Sequence, residues 1–155
     1  MATVLNIGFD SEAKVAKFAQ TLAHHAQSLN GSIVIYLEGD LGAGKTTIAR
    51  SFIQTFGFER VKSPTYSLVE SYHNKAVDIH HFDCYRLSDP EELEYIGIRE
   101  YAQGKHIQLI EWAELGKGAI PSADLIIKIE GEDNSRTLAL SAQSDVGKML
   151  LQLIG

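Results

Sequence analysis

Apolar residues near the start of the chain keep a helical rhythm: Val15, Phe18, Leu22, Ala26 and Leu29 recur every three or four positions, as one stripe of a helix. Asp10 and Ser11 precede the stripe as cap residues, so the pattern predicts a helix over residues 12–29 with the stripe turned to a core. The rhythm then changes. Ile33-Val34-Ile35-Tyr36-Leu37 is a continuous, β-branched apolar run, the mark of a strand buried on both faces. Residues 46–56 return to helical spacing and stop near Gly57. Two strand-like stretches, 66–72 and 76–83, flank His73-Asn74-Lys75 and predict a short hairpin, which makes the sheet mixed.

Ser88-Asp89-Pro90-Glu91 combines a cap residue, a first-turn proline and an acid three positions after Ser88, so a helix is expected from there to about Gln103. Residues 107–111, 125–130 and 136–141 read as further strands, and 145–154 as a closing helix. Strands interleaved with helices predict an α/β layered fold, a mixed β-sheet flanked by helices. No repeat or linker divides the chain, so residues 1–155 are expected to form one domain.

Composition narrows the setting. The longest strongly apolar runs, 33–37 and 125–129, fall far short of the roughly 18 residues that span a bilayer, so no membrane insertion is expected. The first residues lack an export signal, and the lone Cys84 cannot form an internal disulfide; both point to the cytoplasm. A net charge of -6 argues against unaided binding to a nucleic-acid backbone, and no DNA partner is expected.

Gly39-Asp40-Leu41-Gly42-Ala43-Gly44-Lys45-Thr46 fits G-x-x-x-x-G-K-[ST] in full and lies between a predicted strand and a predicted helix, the context a phosphate-binding P-loop requires. Its glycines let backbone amides curl round phosphates, the following helix directs its positive end at them, Lys45 adds a point charge and Thr46 a hydroxyl for Mg²⁺. The fold class is therefore P-loop NTPase-like. Asn74-Lys75-Ala76-Val77 lacks the fourth-position Asp of the guanine-reading motif, which favours ATP over GTP.

Such a site needs an acid at a neighbouring strand end, and Asp83 and Glu111 each close a predicted strand. Ser63-Pro64-Thr65-Tyr66 falls where related proteins carry a switch that senses the terminal phosphate. His80 and His81 are consecutive and would point to opposite faces of a strand, and His24 and His25 lack a ligand spacing, so no histidine is assigned to metal. Residues 89–100 read as a solvated acidic helix face. Trp112, the only tryptophan, directly follows Glu111 and is a candidate wall of the nucleotide site.

Taken in order, residues 39–47, Ser63-Pro64-Thr65-Tyr66, His81-Phe82-Asp83-Cys84-Tyr85-Arg86 and Ile110-Glu111-Trp112 resemble the TsaE (YjeE) ATPases of bacterial tRNA threonylcarbamoyladenosine synthesis. The resemblance implies a small ATPase that works with the TsaD and TsaB proteins, which form the threonylcarbamoyl-transfer enzyme, and meets tRNA only indirectly through them. It implies that Gly42, Ala43, Gly44, Lys45, Thr46 and Thr47 hold the phosphates of ATP or ADP, and that Thr46 and Glu111 engage Mg²⁺. Asp83 would assist hydrolysis, Thr65 would belong to the switch, and the region of Asp10 and Ser11 would lie near the adenine. Cys84 stands where aliphatic residues are common in that family. Two other classes stay open on the residues alone: a small-molecule P-loop kinase, which would want an Arg-rich lid that five scattered arginines do not make, and a nucleotide-gated binding module whose hydrolysis is incidental.

Overall fold

The apolar run at residues 33–37 becomes the centre of the molecule. In a computed structural model that describes residues 4–29, 31–40, 42–102, 104–131 and 135–155, β2 (Ile33–Glu38) lies between two parallel neighbours, β5 (His106–Glu111) and β6 (Leu125–Glu130). β4 (Asp78–Asp83) adds a further parallel strand beside β5. The antiparallel strands β3 (Val69–His73), β7 (Arg136–Ala142) and β1 (Val4–Phe9) complete the order β1-β7-β6-β2-β5-β4-β3. The sheet is mixed and flanked by helices, as the alternation of patterns predicts.

Alternate side chains of β2 serve different layers. Ile33, Ile35 and Leu37 pack with the stripe of α1 (Glu12–Ser28), with Ile48, Phe52 and Ile53 of α2 (Lys45–Thr55), and with Leu150 and Leu151 of α4 (Asp145–Ile154). Val34 joins Phe82, Cys84, Ile98 and Ile110 on the other face, with Leu93 of the short helix α3 (Glu91–Tyr95). Each fully buried Leu, Ile or Phe contributes about 1.5–3 kcal/mol, so these two layers fix the register on which the strand ends depend.

Several local expectations change. Ser11 caps α1, its Oγ accepting from Lys14 N–H at 3.2 Å, whereas Asp10 pairs with the Lys14 ammonium at 2.8 Å. β3 starts at Val69 instead of residue 66, because Leu68 N–H donates to Pro64 C=O and winds residues 64–68 into a turn, with Leu68 left-handed at φ 72°. β4 starts at Asp78 rather than 76, since Asn74 Oδ1 accepts from both Ala76 and Val77 N–H and draws those residues into the hairpin turn. The helix expected over 88–103 is broken: α3 ends at Tyr95, Gly97 adopts φ 74°, which no continuing helix accommodates, and a 3₁₀ turn over Ile98–Ala102 follows. Its start also moves, from residue 88 to Glu91, with Asp89 Oδ1 accepting from Glu91 N–H and the Glu92 carboxylate from Ser88 N–H. Leu41 of the glycine-rich segment and Gln103 at the expected helix end lie outside the described residues. β1 was not among the expected strands.

Candidate nucleotide-binding site

The glycine-rich segment leaves the C-terminal end of β2 and turns into α2. Gly39 has φ 148°, and a Cβ there would lie 2.7 Å from the Ile129 carbonyl oxygen, so only glycine passes β6 at this point. Gly42 and Gly44 are left-handed, at φ 82° and 114°. Gly44 is the N-cap of α2 and offers no side-chain acceptor, which leaves the first-turn amides of that helix for an anion.

A cavity of about 590 Å³ opens over this turn, within the range of small-molecule sites. It is lined by Gly42, Ala43, Gly44, Lys45, Thr46, Thr47, Thr65, Asp83, Glu111 and Trp112; Asp10 and Ser11, expected near the adenine, do not line it. Ser11 caps α1, while its neighbours Glu12 and Val15 line the cavity. Asp10 borders a smaller cavity of about 350 Å³, which shares Arg136 with the first.

The charges on the walls are held at close range. Lys45 is only 5% exposed; its ammonium donates to Gly39 C=O at 2.6 Å and lies 3.9 Å from the Trp112 ring centroid. Burial pulls its pKa down, opposed by the nearby Glu111 and Asp83 carboxylates. Asp83 ends β4 and Glu111 ends β5 in direct parallel register, so one pleat brings both acids to the same strand-end crevice. Burial raises the Asp83 pKa above the usual carboxylate range, against a hydrogen bond its Oδ1 accepts from Tyr85 N–H at 3.0 Å. Glu111 Oε2 and His81 Nε2 lie 2.6 Å apart, within hydrogen-bonding distance. Trp112 is left-handed at φ 55°, a conformation rare for a bulky residue, and its ring packs on Tyr85 with 4.9 Å between centroids.

Thr46 is exposed and faces the cavity, and Thr47 Oγ1 donates to Glu12 Oε1 at 2.7 Å, tying α1 to the loop. Thr65 Oγ1 lies 2.7 Å from Ser63 Oγ, within the turn that precedes β3. Glu12, Val15, Tyr85, Arg86 and Arg136 also line the cavity and were not expected there. Arg136 starts β7 and donates through Nε to Ala43 C=O at 3.0 Å, reaching the loop from a strand with no motif of its own.

The donor chemistry suits magnesium and nucleotide. The strand-end carboxylates and the Thr46 hydroxyl are hard oxygen donors, the kind Mg²⁺ takes one or two of from protein when phosphate oxygens and water supply the rest. Among the described residues no group of three or more His, Cys, Asp or Glu forms a separate metal cage.

A family model described as threonylcarbamoyl adenosine biosynthesis protein TsaE matches residues 9–138, a span that contains every motif above. The chain is 48% identical over 137 residues to the tRNA threonylcarbamoyladenosine biosynthesis protein TsaE of Haemophilus influenzae, covering 87% of this chain and 85% of that one. It is 38% identical over 122 residues to the protein of the same name from Bacillus subtilis, covering 77% and 75%. Among solved structures it is similar to YdiB of Bacillus subtilis, with a TM-score of 0.79 and 27% identity over 99% of this chain and 95% of that one. With a match of this extent, and with the glycine-rich turn, both strand-end acids and Trp112 gathered at one cavity, the chain belongs to the TsaE family of tRNA threonylcarbamoyladenosine biosynthesis proteins.

Proposed function

We propose that the cavity binds Mg²⁺-ATP and hydrolyses it slowly, and that this turnover serves threonylcarbamoyladenosine modification of tRNA in the cytoplasm, in concert with the TsaD and TsaB proteins. The observation that carries the reading is the convergence of the open α2 N-terminus, Lys45, Thr46, Asp83 and Glu111 on one cavity. No described helix is long and apolar enough to cross a membrane, and the reading needs no membrane or DNA partner.

The loop amides and the α2 N-terminus bind the phosphates, and Lys45 exchanges its Gly39 carbonyl for a phosphate oxygen. Thr46 and Glu111 hold Mg²⁺, which when bound offsets charge on the phosphoryl oxygens. Asp83, less acidic than an exposed carboxylate because it is buried, orients the attacking water and accepts its proton. Thr47, fixed by Glu12, and Thr65 of the preceding turn complete the phosphate side, and Trp112 walls the cavity.

Calorimetric titration tests the binding half of this reading. Mg²⁺-ATP should bind the wild type and bind Lys45→Ala at least about tenfold more weakly, because the phosphate charge then lacks its buried cation. Equal affinities in the two proteins would remove nucleotide from the cavity.

A further inference from the structure

At the floor of the site lies a histidine–carboxylate contact whose histidine the proposed chemistry leaves unused. His81 and Asp83 are two residues apart on β4 and share one face; Asp83 pairs in register with Glu111 of β5 and His81 with Leu109. His81 therefore sits diagonally behind Glu111, where its Nε2 meets Oε2 at 2.6 Å. Both side chains are buried, 2% and 7% exposed.

The surroundings favour one placement of the ring proton. An ionised carboxylate oxygen only accepts, so the ring carries its hydrogen on Nε2. The other ring nitrogen, Nδ1, is buried with no hydrogen-bond partner among the described residues, and a hydrogen there would be stranded without an acceptor. One tautomer satisfies both constraints. On the carboxylate, Oε2 is engaged by the ring, which leaves Oε1 for the cavity that Glu111 lines.

A residue chosen only to fill the core would not bury an unpartnered nitrogen. Leucine fills similar space without that cost. The preceding His80 shows the contrast: it turns to the other face, where Nδ1 lies 2.8 Å from Ser71 Oγ and its ring packs on Tyr101. It is not among the residues that line the cavity.

Resting on the function proposed above, we propose that His81 is a positioning residue, its Nε2–H locking Glu111 so that a single carboxylate oxygen, Oε1, is presented to Mg²⁺-nucleotide. A glutamate has three side-chain torsions to order, and a hydrogen bond made before the nucleotide arrives removes that freedom in advance. Among metal sites generally, outer partners of this kind are worth about 10–100-fold in affinity or activity.

The test uses the full chain and begins without nucleotide or metal. Two-bond ¹H–¹⁵N correlation of the histidine rings should show His81 as the Nε2–H tautomer with a slowly exchanging proton, and Glu111→Ala should abolish that protection. A wild-type Nδ1–H tautomer, or an Nε2–H indifferent to Glu111→Ala, overturns the lock. In steady-state hydrolysis His81→Leu should lower kcat by about tenfold or more while KM for ATP moves less than about threefold. His81→Gln, whose amide N–H stands near the Nε2 position, should recover to within about threefold of wild type. Added to Glu111→Ala, His81→Leu should cost nothing further, because its effect runs through a side chain already gone. Full additivity in that cycle, or His81→Gln as impaired as His81→Leu with equal melting temperature, assigns His81 to packing and overturns the proposal. A wild type without ATP turnover refutes the proposed function instead, and the tautomer measurement then decides the lock alone. If His81→Leu does not fold, His81→Gln and the ring spectra still decide it.

Discussion

At the scale of single residues the site holds charges against their own burial. Asp83 binds its proton more tightly in the folded chain than the value of 3.8 it has when exposed, because the crevice disfavours the ionised form. The folded state thus binds more protons above that value, and stability contributed by the neutral acid is lost as pH rises through the raised folded pKa. Near neutral pH the ionised Asp83 is a net cost to folding. Asp83→Asn should therefore melt no lower than wild type at pH 7 and show a flatter pH dependence of melting above pH 3.8, where the raised carboxyl of the wild type titrates. Its hydrolysis should nevertheless fall by at least about tenfold, or 1.4 kcal/mol. Melting curves across that range together with turnover rates check both halves; a lower melting temperature with an unchanged rate would make Asp83 a structural residue. Glu111→Ala should lower kcat more than nucleotide affinity, since a metal-holding carboxylate matters most when charge moves. Calorimetry beside turnover separates the two quantities, and equal losses would confine Glu111 to ground-state binding.

Elements behave as their patterns predict where one physical signal dominates. α1, β2 and α2 are legible because a helical stripe, an unbroken β-branched run and a glycine-rich turn follow one another within a short stretch. β1 is harder to see: Leu5, Ile7 and Phe9 do alternate, but Gly8 and Asn6 weaken the run, and the strand forms by pairing with β7 from the far end of the chain. α3 stops early because Gly97 terminates it, a signal present in the sequence but outweighed by the acidic, helix-favouring residues before it. Arg136 and Glu12 join the site only through tertiary packing, so nothing around them in sequence marks them. Gly147 in α4 carries a similar tertiary demand. In an exposed helix Gly→Ala stabilises by about 1 kcal/mol. Here a Cβ would lie 1.8 Å from the Asp124 carbonyl oxygen, so Gly147→Ala should destabilise instead, by about 1–3 kcal/mol as overpacking does. A denaturant titration reads the sign, and a gain in stability would mean that α4 shifts away from Asp124 freely.

For the whole molecule, the parallel strands β2, β4 and β5 end on one side, and that topology turns scattered motifs into one cavity. The cavity belongs to a chain of net charge -6, which argues against unaided binding of a nucleic-acid backbone. The free protein should show no measurable binding to tRNA in a filter or mobility assay at physiological salt; tight, salt-sensitive binding would contradict an indirect role. The central claim is that this cavity turns over ATP for the TsaD and TsaB proteins. It is tested most directly by measuring ATP hydrolysis by the wild type and by Lys45→Ala, each with and without the TsaD/TsaB pair. Slow turnover is expected of the wild type alone, with an increase of about tenfold or more with the pair, and none in either condition for Lys45→Ala. Hydrolysis that is absent throughout, or that persists in Lys45→Ala, would contradict it.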